Sequence, residues 1–175
     1  EGRPGLGFTT QGMTAEPCPG CGAVLVPVDG PVHRYLGASS ACWTVYSSIL
    51  GGSPPLPPSP MAASMVDAYC VQHPGVDSPQ SRQSVAVHAI ALHAALGHGA
   101  TPGSLIAARV DAVEAGRRGA VSYPWRDDWP VDWGVTIHDV IAGVATVEDW
   151  ITAVYAQVTN RWSSELETWW SVIGN

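Results

Sequence analysis

The chain has 175 residues, 46% of them hydrophobic and 13% charged, enough for one domain with a buried core and too apolar for an intrinsically disordered chain. Its net charge of −7 argues against a nucleic acid or an anionic membrane as partner, and no apolar run reaches the roughly 18 residues of a membrane span. All eight basic residues are arginine, so chemistry that needs a lysine ammonium, such as a Schiff base or a phosphate-binding P-loop, is excluded.

In chain order, residues 1–16 read as a leader outside the domain, with neither the basic nor the apolar region of a signal peptide. Residues 17–32 predict a tight cysteine turn and then a small hairpin, Val24-Leu25-Val26 running to Pro27 and a turn at Asp29-Gly30-Pro31. Ser39 or Ser40 caps a helix through Cys42, Trp43, Val45, Tyr46 and Ile49 that stops at Gly51-Gly52. The proline-rich segment 53–60 lets no helix cross it. Helices are then predicted over 61–73, ended by Pro74-Gly75, over 79–97, and from Pro102 behind a Thr101 cap to Gly116. A long loop covers 117–135, and Thr136 caps one or two further turns. The last helix, over 147–172, opens on the capping box Thr146-x-x-Asp149 and carries Trp150, Val154, Val158 and Trp162 at every fourth position. The expected fold is mainly α, a single domain over 17–175. It joins a helical bundle over 61–175 to a small, treble-clef-like zinc-knuckle lobe over 17–50.

Cys18-Pro-Gly-Cys21-Gly carries the strongest chemical signal. Two thiolates two residues apart at a glycine-permitted turn suit one tetrahedral zinc ion. Cys42 follows in the first turn of a helix, and His33 is the nearest fourth donor, which gives metal ligands Cys18, Cys21, His33 and Cys42. A redox dithiol is the competing reading, but no thioredoxin-like βαβ pattern surrounds the pair. With no export signal, a reducing cytoplasmic setting is expected, where close cysteine pairs hold metal more often than they form disulfides.

Two histidines point into apolar helix faces. His88 shares a stripe with Val85, Leu92 and Ala95, with Gln83 close by. His73 lies in line with Val66, Tyr69 and Cys70, beside Asp67. Asp67, His73, Gln83 and His88 are therefore candidate catalytic residues in a polar inter-helix pocket, set against the plainer reading of hydrogen-bonded core histidines. Trp125, Trp129 and Trp133 alternate with aspartates in the 117–135 loop; a cation cage is conceivable, but plugging of the core is the preferred reading.

The blocks CPGCG, GPVHRYLGASSACW, VDAYCVQHPG and RQSVAVH occur here in an order that resembles a small bacterial family catalogued as a domain of unknown function, DUF5946. The resemblance implies that Cys18, Cys21, His33, Tyr35, Cys42, Trp43, Asp67, Tyr69, Gln72, His73, Gln83 and His88 are motif positions, and that Cys70 is not. It implies no reaction.

Two functional readings follow. In one, the protein is a small metal-dependent hydrolase or lyase acting on a small molecule. Its zinc, held by Cys18, Cys21 and one or two of Cys42, His33, His73 and His88, keeps a position open for water. In the other, Cys18, Cys21, His33 and Cys42 close a structural zinc site in a non-catalytic module that binds a ligand or a protein partner. A metal reached by His73 or His88, with His33 turned away, would favour the enzyme.

Overall fold

A computed structural model describes residues 14–174. Most of the expected leader lies outside these residues, but Glu16 does not belong to it: Glu16–Pro17 is strand β1, paired antiparallel with β2 (Val24–Leu25). The hairpin therefore closes around the cysteine turn and not at Asp29-Gly30-Pro31. The backbone bonds Cys18 N to Ala23 O (2.8 Å) and Gly22 N to Cys18 O (2.9 Å) tighten the knuckle.

Six helices follow. α1 (Ser40–Leu50) starts at Ser39, whose hydroxyl accepts from the Cys42 amide. A 3-10 turn, Ala62–Ser64, leads into α2 (Met65–Gln72). α3 (Pro79–Leu92) is capped by Ser78 and runs into a π-turn at His93–Gly97. α4 (Pro102–Arg117) starts at the expected Thr101 cap, and the short α5 (Ile137–Ile141) at Thr136. α6 (Val147–Ile173) has the Thr146/Asp149 capping box complete. Among the described residues, no helix is long and apolar enough to cross a membrane.

α2 and α3 form the centre, α2 against α3 and α6, and α3 against α2, α4 and α6. From Val85 to Leu92 every residue of α3 except His88 is buried, as befits a helix enclosed on most sides. Ala86, Ala89 and Ala91 are completely covered and keep the neighbouring helices close. α6 closes the bundle with a stripe of Val147, Trp150, Ile151, Val154, Val158, Trp162, Leu166, Trp169 and Ile173. The stripe is not straight, because the backbone leaves helical values at Trp162 (φ −128°, ψ 28°). There the Trp162 indole meets Trp129 from the 117–135 loop edge to face at 5.2 Å, and Trp169 at 5.4 Å. Trp129 and Trp133 thus plug the core, the preferred of the two readings, while Trp125 stays half-buried with its N–H on Asp127.

α2 is so enclosed that its polar residues need partners of their own. Gln72 is fully buried; its amide N–H donates to the Val135 carbonyl at 2.8 Å, and its oxygen accepts from the Trp150 indole at 3.0 Å. One side chain therefore clips the loop before α5 and the first turn of α6 to α2. Gln72→Leu strands both a buried N–H and a buried C=O, at about 1–3 kcal/mol each. Urea denaturation should show a loss of about 2–6 kcal/mol, with the metal content of the folded protein unchanged.

Candidate metal centre

Cys18, Cys21, Cys42 and His73 meet in one buried cluster, with their Sγ and ring-nitrogen atoms all within 4.8 Å of one another. The four arrive by three devices. The CPGC knuckle turns Cys18 and Cys21 to one side, the first turn of α1 supplies Cys42, and His73 caps the C-terminus of α2. Gly20 makes the approach possible: a Cβ there would lie 2.9 Å from the His73 Cα and 2.8 Å from the Gly37 carbonyl oxygen. From the far side the buried Trp133 indole donates to the Gly20 carbonyl at 3.0 Å and holds the knuckle down.

The separations fit a tetrahedral ion. Cys21 Sγ and Cys42 Sγ are 3.9 Å apart, and Cys42 Sγ and His73 Nε2 are 3.4 Å apart. A tetrahedron with metal–sulfur bonds of about 2.3 Å and metal–nitrogen bonds of about 2.0–2.1 Å has edges of about 3.8 and 3.6 Å. The tautomer fits as well. His73 Nδ1 donates to the Tyr69 carbonyl at 2.8 Å, which leaves the Nε2 lone pair for the cluster.

The electrostatics say the same. Hydrogen bonds from the Cys21 and Cys42 thiols push Cys18 far below the ordinary thiol range, helped by the Ser39 amide at the head of α1 (3.4 Å). Sharing with Cys18 pushes Cys21 far up and Cys42 up to about 12. The pocket by itself tolerates one thiolate; a bound dication would hold all three deprotonated. Around it, Tyr69 Oη donates to Cys42 Sγ at 3.5 Å, and His138 Nε2 lies 3.3 Å from the same sulfur. Burial holds the His138 imidazole below its usual range, against the pull of the Cys18 thiolate. The Tyr69 ring also stacks between Tyr46 (3.7 Å) and His73 (4.0 Å).

His33, expected as the fourth ligand, stands outside the cluster, and His73 holds the fourth donor position. The His33 ring stands in an exposed loop, accepts from the Tyr35 amide at 3.2 Å and packs 5.1 Å from Trp43. The nearest histidine in sequence is not the nearest in space, because α2 doubles back over the knuckle. His73 brings the set to four donors.

The remaining candidates lie elsewhere on α2 and α3. Asp67 is fully buried and receives Arg109 through two hydrogen bonds (2.8 and 2.6 Å) and His88 Nδ1 at 2.8 Å. Burial works against a charged His88, but hydrogen bonds to Asp67 and Cys70 outweigh it and push the imidazole up to about 10. His88 and Gln83 also line a cleft of about 290 Å³ with Tyr35, Gln80, Ser84 and Val87. His73 is not part of this group. Sequence reasoning missed His138 and Arg109. His138 stands 96 residues after the sulfur it touches, and no spacing motif reaches that far; Arg109 is one of two arginines on α4 and belongs to no spacing motif.

No curated protein and no solved structure matches this chain. A family model described as a family of unknown function (DUF5946) matches residues 16–163, which span the knuckle, the Cys3His cluster, the cleft and most of α6. The chain belongs to the DUF5946 family.

Proposed function

We propose that the protein is a helical module stapled by a structural zinc ion on Cys18, Cys21, Cys42 and His73, and that it binds a small polar molecule in the cleft beside His88. The observation that carries the first part is the closed, buried Cys3His donor set. Three thiolates and an imidazole suit zinc, and a four-ligand shell is the mark of a structural site. The four free cysteines fit a reducing compartment, the cytoplasm in this reading.

Metal content tests this. Protein purified without added metal should carry about one zinc per chain. His33→Ala should keep it, and Cys42→Ala and His73→Ala should lose it. Removing the ion with a chelator should cost several kcal/mol, a fall in Tm of about 10 °C or more for a domain of this size. Zinc lost with His33 and kept without His73 would overturn the assignment.

The cleft supports the second part. Tyr35, Gln83 and His88 are motif residues that no internal network consumes in full, and they share one cleft wall. Protonated at neutral pH, His88 presents a fixed cation to an anionic or carbonyl-bearing ligand. The same arrangement favours a second reading, an acid–base enzyme in which Asp67 orients His88 as proton donor; metal-dependent hydrolysis ranks behind it. Thermal-shift screening with small carboxylates and phosphates should find compounds that stabilise the wild type and not Gln83→Ala. Equal stabilisation of both proteins, or none, would count against the cleft.

The His88 pKa sets a pH signature. Because it is raised from 6.5 to about 10 in the folded protein, its stabilisation is complete below pH 6.5 and is lost as pH rises through 10. Stability of the zinc-loaded protein should fall across that window. In His88→Gln the fall should be distinctly shallower, as followed by urea denaturation at successive pH values.

A further inference from the structure

A second group of metal-type donors stands on different elements. His93 Nε2 lies 3.2 Å from His98 Nε2 and 3.4 Å from Glu167 Oε1, and all three donor atoms are within 4.8 Å of one another. We propose that His93, His98 and Glu167 form an open binding site for a divalent transition-metal ion, separate from the cysteine centre.

The local backbone is built for this convergence. In a regular α-helix, residues five apart point about 140° away from each other at 3.6 residues per turn. Here α3 widens into the π-turn His93–Gly97, and the i, i+5 pair His93 and His98 comes onto one side. Such turns cluster at functional sites. Gly97 is needed for the packing: a Cβ there would lie 2.9 Å from Tyr155 Oη and 3.0 Å from His93 Nδ1.

The surroundings orient the donors as a ligand shell does. Tyr155 Oη, from α6, is 2.9 Å from His93 Nδ1, so the hydroxyl fixes the ring and Nε2 faces the other two donors. The His98 ring stacks on Trp170 at 4.8 Å with a 20° interplanar angle, and Trp170 follows Glu167 by one turn of α6. Bonds of about 2.0–2.2 Å to a tetrahedral ion put nitrogen and oxygen ligands about 3.3–3.5 Å apart, close to the two separations found. His93 is buried, whereas His98 and Glu167 are exposed. Solvent can therefore reach the remaining coordination positions, unlike at the closed Cys3His cluster. Two imidazoles and a carboxylate suit zinc, cobalt, nickel or copper rather than magnesium or calcium.

Cobalt(II) is a probe that tells the two centres apart, because thiolate ligation produces a near-ultraviolet charge-transfer band that imidazole and carboxylate ligation does not. Titrated into the zinc-loaded full chain, cobalt(II) should bind with visible d–d absorption and no thiolate band. His98→Ala and Glu167→Gln, both at exposed positions, should abolish that absorption while the tightly held zinc stays. Tyr155→Phe, which removes only the orienting hydroxyl, should weaken binding about 10–100-fold. No cobalt binding, an unchanged titration in His98→Ala, or cobalt appearing only with the thiolate band would overturn the site. Were the cysteine centre free of zinc, cobalt entering it would add the thiolate band, while the absorption lost in His98→Ala would still report the second site, so the two assignments fail independently.

Discussion

Everything on the N-terminal side of the bundle depends on one buried cluster of four donors contributed by three segments. Thiols and an imidazole taken out of water cost free energy unless something satisfies them together. Here the geometry asks for a cation. Cys18 is driven towards thiolate, Cys21 and Cys42 are held protonated, and His73 has its lone pair aimed at the sulfurs. A two-residue strand pair and an 11-residue helix do not make a core by themselves. Joined to α2 through His73, they extend the core, with Tyr46 of α1 lying flat on Tyr69 of α2.

α2 pays for this central position. Every residue from Asp67 to His73 is buried, and besides Tyr69, whose hydroxyl goes to Cys42, three of them carry groups that cannot be left alone. His73 goes to the cluster and Gln72 to Val135 and Trp150. Asp67 goes to Arg109 and His88, so the charge is buried with two partners and both oxygens are engaged. Such a buried pair is weak evidence for stability compared with an apolar replacement, but removing one partner alone leaves an uncompensated charge. Arg109 further ties α4 to the Ala63 carbonyl at the entry to α2. Three polar side chains thereby determine where the knuckle, α4 and α6 sit around one short helix.

The helices were legible because their start signals are local. Ser39, Thr101, Thr136 and Thr146 are read from a few residues, and each caps the helix it announces. The π-turn at His93 and the departure from helicity at Trp162 were not legible. Both are answers to packing, around Tyr155 in one case and against Trp129 in the other. In the cluster, Cys18, Cys21 and Cys42 could be found from spacing because a knuckle followed by a helix start is a compact motif. The fourth donor could not. His33 and His73 are equally good ligands as side chains, and what separates them is the path of the chain through the proline-rich segment and back, a tertiary property. The hairpin was misplaced for a related reason: the cysteine turn itself is the hairpin loop, and the Asp29-Gly30-Pro31 signal is left to an irregular connection.

The residues that carry the family motifs also sort themselves by what already satisfies them. Cys18, Cys21, Cys42 and His73 are absorbed by the metal cluster, and Tyr69 by stacking and by its bond to Cys42. Gln72 is absorbed by the α6 clip. For these inward-facing polar residues a hydrogen-bonding or stacking partner is present. Of those that remain, His33 packs on Trp43, while Tyr35, Gln83 and the outer edge of His88 stand on a single cleft wall. Buried chemistry that holds the fold together and partly exposed chemistry that faces a cleft are thus separated along α3, with Asp67 linking the two through its bond to His88. The separation keeps the Cys3His cluster and the cleft apart in so small a chain. α2 joins the two, with His73 in the cluster and Asp67 bonded to His88 at the cleft.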